Sequence, residues 1–166
     1  MAVVLTNGYS SYQWIIVEYL LNLLFGMSTR PNYRIATNEP GLHLNRKNNL
    51  AGDILVYKKE DLPGSAISTK YVAIPALIHI EVDVTADTNG ENEIYYLEKK
   101  VNKLLDFGTG KIIWVFTKSK KVLVATAKTN WQWHNWNESL HLLDEVNFNI
   151  ADYLVQEGID INQESE

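Results

Sequence analysis

Between Pro75 and Val84 apolar and polar residues alternate, with Ile78, Ile80, Val82 and Val84 set against His79, Glu81 and Asp83. A period of two is that of a β-strand, whose side chains point to opposite faces in turn. One face of this strand therefore carries a row of acids. Taken alone, that row fits either the solvated face of an antiparallel strand or half of a divalent-cation site.

The rest of the chain shows both periods. From Ser10 or Ser11 to Phe25 the residues Trp14, Ile15, Val17, Leu20, Leu21, Leu23 and Leu24 predict a helix with a broad apolar face, begun by serine and stopped at Gly26. Short β-prone runs follow at 30–37, 42–44 and 53–57, separated by Asn38-Glu39-Pro40-Gly41 and by Asn48-Asn49, and they read as meandering strands. The polar stretch 58–70 reads as a loop. After the acid-bearing strand, residues 87–92 have turn and cap chemistry, and a second helix is expected over about 91–107, with Ile94, Leu97, Val101, Leu104 and Leu105 at helical spacing. At about 100° per residue, Lys100 falls on the border of that stripe, whereas Lys99 and Lys103 point away from it.

Gly108-Thr109-Gly110 ends the helix, and Lys111 to Thr117 reads as a strand. Strand, helix and strand with short joints make a βαβ unit, which predicts a parallel pair with a right-handed crossover. Lys118 to Lys121 then turns the chain into a hairpin partner over 122–126. The segment Trp131 to Trp136 carries three of the five tryptophans, and it suits closure of a core or interface better than an exposed stacking platform. A short helix is expected near 150–155, ahead of a frayed acidic end. Helices packed on a mixed sheet place the chain in the α/β (α+β) class.

Composition narrows the picture. At 166 residues and 46% hydrophobic, the chain suits a single domain over 1–166, with a core at about 10–155 and an acidic tail at 156–166. A net charge of −5 argues against a broad basic surface for nucleic acid, although acidic metal ligands and a local basic groove can coexist. Without cysteine there is neither a disulfide framework nor a thiolate metal site. The first residues lack the basic start of a signal peptide, and the apolar stretch 14–25, broken by Glu18 and Asn22, is shorter than the roughly 20 residues of a membrane-spanning helix. A cytoplasmic protein without a membrane partner is the expectation.

Asp53 at a strand start, Glu81 within a later strand and Lys100 on the following helix then stand out together. Their order and spacing resemble the PD-(D/E)XK nuclease superfamily and, more narrowly, the bacterial Uma-type restriction endonuclease family. The matching stretches are Gly52-Asp53-Ile54-Leu55-Val56, Ile80-Glu81-Val82, Lys100-x₃-Leu104-x₃-Gly108 and Ile112-Ile113-Trp114-Val115, with 144–154 similar to the family's closing loop and helix. The chain departs from the pattern where Gly52 replaces a proline, Leu104 a tyrosine, and 83–87 the loop after the glutamate.

The resemblance implies a restriction-endonuclease-like fold and hydrolysis of DNA phosphodiester bonds. It makes Asp53, Glu81 and Lys100 catalytic, with Mg²⁺ or Mn²⁺ held by Asp53, Glu81 and the backbone carbonyl of Val82. Asp83 takes the place where the wider superfamily has its lysine, so Lys100 on the helix stands in, and Asp83, His79 and Glu18 are auxiliary candidates. DNA is the expected substrate, and a homodimer is expected because double-strand cutting needs two sites. Two other readings stay open: an inert relative kept as a binding or oligomerisation module, and a sugar-binding module built on the tryptophans.

Overall fold

The computed structural model describes residues 8–85 and 92–162. The acid-bearing strand is β5 (Ile78–Asp83), and it lies inside a six-stranded sheet. The other strands of that sheet are β1 (Tyr33–Ala36), β4 (Ile54–Lys58), β6 (Lys111–Phe116), β7 (Lys121–Ala127) and β8 (Asn130–Asn135), in the order β1-β4-β5-β6-β7-β8. Pairing is antiparallel throughout except between β5 and β6, which run parallel. That parallel step is spanned by a helix, α2 (Glu93–Phe107), as the βαβ spacing predicts.

Two further helices, α1 (Ser11–Phe25) and α3 (Ile150–Gln156), cover the opposite face. The alternation along each strand decides which core a residue joins. Ile54, Val56, Ile78, Ile80, Val82, Ile113 and Val115 pack with Ile16, Leu20 and Leu24 of α1 and Leu154 of α3. Leu55, Tyr57, Ile112, Trp114 and Phe116 pack with Leu97, Val101 and Leu104 of α2. Each large apolar side chain removed from water contributes roughly 1.5–3 kcal/mol, so both helix layers are fixed by this two-sided pattern.

Local chemistry sets the ends of the helices. At α1 the Ser10 hydroxyl accepts from Gln13 N–H while the Gln13 side chain accepts from Ser10 N–H, a reciprocal cap. Asn92 caps α2 through Ile94 and Tyr95 N–H; the rest of the expected cap stretch, 87–91, lies outside the described residues, as does the end of the acidic tail. Gly108 closes α2 at φ 115°, a left-handed conformation that side chains resist, and its N–H reaches Leu104 and Leu105 carbonyls.

Two expectations need correction. Asn48-Asn49 is not a separator but opens β3 (Asn48–Ala51), which pairs with β2 (Gly41–Asn45) in a hairpin apart from the main sheet. The turn falls earlier because the Asn45 side chain accepts from Lys47 N–H and from the Asn48 amide, closing the chain locally. The tryptophan segment is likewise divided: Trp136 is buried, whereas Trp133 stands 53% exposed on the edge strand β8, so the three rings share neither a core nor a platform. A hairpin of β9 (Leu140–Leu143) and β10 (Val146–Phe148) completes the α1 side of the core.

Candidate metal centre

Asp53 immediately precedes β4, and its own N–H still bonds to the Ile80 carbonyl. Beyond that point β4 no longer runs beside β5, so the next outward backbone groups of β5 need other partners. The Asp53 carboxylate supplies one: Oδ2 accepts from Val82 N–H at 2.7 Å. Gln13 supplies the other, its Nε2 donating to the Val82 carbonyl at 3.0 Å. The end of a strand ladder thus holds the Asp53 carboxylate against Val82 N–H, and Tyr9 completes the arrangement by donating its hydroxyl to Asp53 Oδ1 at 2.6 Å.

Glu81 and Asp83 reach the same place from the α2 side of β5. One oxygen from each of Asp53, Glu81 and Asp83 lies within 4.8 Å of the others. Lys100, leaning in from α2, donates to Glu81 Oε1 at 2.7 Å, and His79 Nε2 meets the same oxygen at 2.9 Å. A carboxylate only accepts, so Nε2 carries the hydrogen; Nδ1 of this fully buried ring has no partner among the described residues. Trp114, in register with Glu81 on β6, donates Nε1–H to Asp83 Oδ2 at 2.8 Å and lies under Lys100, whose Nζ is 5.1 Å from the ring centre.

The charges here are unbalanced, since three carboxylates face one ammonium. Burial works against the charge on Glu81, but the His79 hydrogen bond and the Lys100 ammonium outweigh it and hold Glu81 below the usual carboxylate range. Burial would also discharge Lys100, yet the Glu81 carboxylate keeps it above the usual lysine range. Nothing offsets the two aspartates so fully. Burial lifts Asp53, and Tyr9 and Val82 N–H only partly reverse it. Burial and the neighbouring Glu81 charge push Asp83 up to about 6. An all-oxygen donor set with surplus negative charge in a mostly buried position fits a hard divalent cation.

Of the residues singled out from sequence, the structure brings Asp53, Glu81, Asp83, His79 and Lys100 together, while the Val82 carbonyl accepts from Gln13 Nε2. The structure does not bring Glu18. That side chain is exposed on α1, and its charge acts on Tyr153 instead. Reading the sequence missed Tyr9, Gln13 and Trp114. Gln13 had a local signal as the capping partner of Ser10, and Trp114 stands at even spacing between Ile112 and Phe116 on the α2 face; Tyr9 had none.

The space beside Gly52 is taken by its neighbours. A Cβ there would lie 2.9 Å from His79 Cε1 and 2.9 Å from Leu55 Cδ2, so the imidazole occupies the space a larger residue would need. We expect Gly52→Ala to cost about 1–3 kcal/mol in urea unfolding. Combination with His79→Ala should recover part of that loss, and strict additivity of the two changes would break the link between them.

No family model matches the chain, and no curated protein does. Among solved structures, the chain is similar to a putative nuclease belonging to DUF820 from Anabaena variabilis, with a TM-score of 0.66 and 14% sequence identity over 90% of this chain and 82% of that one. At that identity the likeness is one of fold, which among the described residues is a mixed six-stranded sheet flanked by three α-helices.

Proposed function

We propose that the chain is a metal-dependent endonuclease that hydrolyses DNA phosphodiester bonds, of the Uma-type branch of the PD-(D/E)XK nucleases. The observation that carries this reading is the meeting of Asp53, Glu81 and Asp83 within 4.8 Å, with Lys100 bonded to Glu81. Residues 28 and 47 positions apart in sequence from Asp53 are drawn there by strand ends and a helix face. The fold shared with a protein named as a nuclease supports the choice of reaction.

Asp53, Glu81 and the Val82 carbonyl would hold Mg²⁺ or Mn²⁺, with Asp83 as a further oxygen donor. When bound, such a cation supplies Lewis acidity toward a scissile phosphate and lowers the pKa of its water. The chain's own groups do the rest. Lys100 offers a fixed ammonium donor to the attacking water and to developing negative charge. His79 donates to Glu81, and Trp114 donates to Asp83 and lies under the Lys100 ammonium.

Purified protein should cleave DNA with Mg²⁺ or Mn²⁺, and Glu81→Gln should abolish cleavage while the far-UV spectrum stays the same. An isotherm for Mn²⁺ alone should weaken at least tenfold in Asp53→Asn; an unchanged isotherm removes Asp53 from the site. The inert-module reading draws on Tyr9 and Val82 already engaging both Asp53 oxygens. It predicts no Mn²⁺ isotherm and no cleavage of any DNA.

A further inference from the structure

Beside Asp53 a cavity of about 400 Å³ opens between α1 and the loop before β2, with Tyr9, Trp14, Val17, Asn38, Glu39 and Asp53 among its lining residues. Trp14 is 55% exposed and Tyr9 48% exposed, although both belong to the segment that anchors α1. Trp14 and Val17 are three residues apart and so share one side of the helix. Across from them, Asn38 and Glu39 hold successive left-handed backbone conformations, at φ 68° and 55°, and Glu39 Oε1 lies 3.4 Å from the Tyr9 hydroxyl.

Resting on the nuclease reading, the geometry points to a subsite for one unpaired nucleobase of a DNA strand, stacked on Trp14 and Tyr9 with its donor edge toward Glu39. Three features select that occupant. Aromatic faces stack any base, and the volume lies in the range of small-ligand sites. The Glu39 carboxylate at the rim repels a phosphate but accepts from the amino and imino hydrogens of a base, whereas both Asp53 oxygens are engaged by Tyr9 and Val82. Asp53 is both a wall of this cavity and a member of the acidic cluster, so a base seated here puts its own backbone next to that cluster.

In a duplex the base edge and both faces are already engaged, and only a strand free of its partner can fill the cavity. The favoured substrate is therefore single-stranded, gapped or splayed DNA. Tyr9 joins the two halves, touching Asp53 with its hydroxyl while its ring lines the cavity.

The test uses fluorescein-labelled single-stranded DNA, the matching duplex and a single-stranded RNA of the same sequence. Binding is measured by anisotropy without metal, and cleavage with Mn²⁺. Single-stranded DNA should be bound and cut roughly tenfold or more better than duplex, the worth of one stacked base. Trp14→Ala should erase that ratio with Mn²⁺ affinity unchanged, whereas Trp133→Ala, at the far edge of the sheet, should leave it alone. Equal handling of both DNAs, or a ratio untouched by Trp14→Ala, overturns the subsite, and the nuclease reading stands if cleavage persists. Single-strand binding that Trp14→Ala abolishes in a protein that cuts nothing upholds the subsite and removes the nuclease. Stronger binding of the RNA overturns the assignment to DNA.

Discussion

Replacing Lys100 with methionine is expected to lower stability by on the order of 3 kcal/mol and cleavage by roughly a hundredfold or more. The two losses have one source. Glu81 and Lys100 are both largely buried and share a 2.7 Å hydrogen bond, so removing the ammonium leaves Glu81 with the His79 N–H but no compensating cation. A buried carboxylate deprived of its partner is costly because water cannot replace what it lost. The double variant Glu81→Gln/Lys100→Met separates structure from chemistry. Glutamine can still accept from His79 and has no charge to balance, so urea unfolding should return to near the wild-type midpoint while cleavage stays absent. If Lys100→Met unfolds at the wild-type midpoint, the pair is a surface-like bridge and Lys100 holds nothing in place.

That coupling explains why some of the site could be read from the chain and some could not. Lys100 is three residues after Leu97 and four before Leu104, both buried, and helical spacing alone puts it at the edge of the inward stripe. Glu81 was visible for a similar reason, since alternation places it opposite Ile80 and Val82 on β5. Asp53 was visible as a strand start, but its role at the ladder end depends on the register Ile54 to Ile80, which no local pattern encodes. The same limit hid Tyr9 and Gln13. Their partners Asp53 and Val82 lie 44 and 69 positions away, and only the docking of α1 against β5 brings them near.

Misreadings came from residue chemistry that serves two ends. Asparagine both forms turns and pairs in short hairpins, and the Asn45 side chain moved the turn ahead of Asn48-Asn49. Glu18 sat in an apolar run and so invited a role. Its neighbours Ile16 and Leu20 take the buried side of α1, which leaves Glu18 in water. Trp131, Trp133 and Trp136 are close in sequence but not in surroundings: a period of two keeps Trp131 and Trp133 on the α2 side of β8, half-buried and exposed in turn, and the turn after β8 carries Trp136 into the α1 core.

Asp83→Asn is expected to stabilise the protein at pH 7 while it weakens Mn²⁺ binding. Folding raises the Asp83 pKa from 3.8 to about 6, so between those values the folded state holds more protons than the unfolded one. Stability from this group therefore falls as pH rises through that window, and above pH 6 the full penalty, on the order of 2 kcal/mol, is in place. Asparagine removes the charge and can still accept from Trp114 Nε1–H, so the unfolding midpoint should rise at pH 7 and show no gain near pH 4. A divalent cation relieves the same penalty in the wild type. Mn²⁺ should thus raise the wild-type melting temperature clearly at pH 8 and little at pH 5, where Asp83 is mostly protonated, and it should raise that of Asp83→Asn less at either pH. A wild type whose melting temperature ignores Mn²⁺ at pH 8, with an Asp83→Asn variant that is nonetheless more stable, would assign the surplus negative charge to something other than a cation site. The opposite result makes the strain among the three carboxylates the measure of how tightly the ion is held.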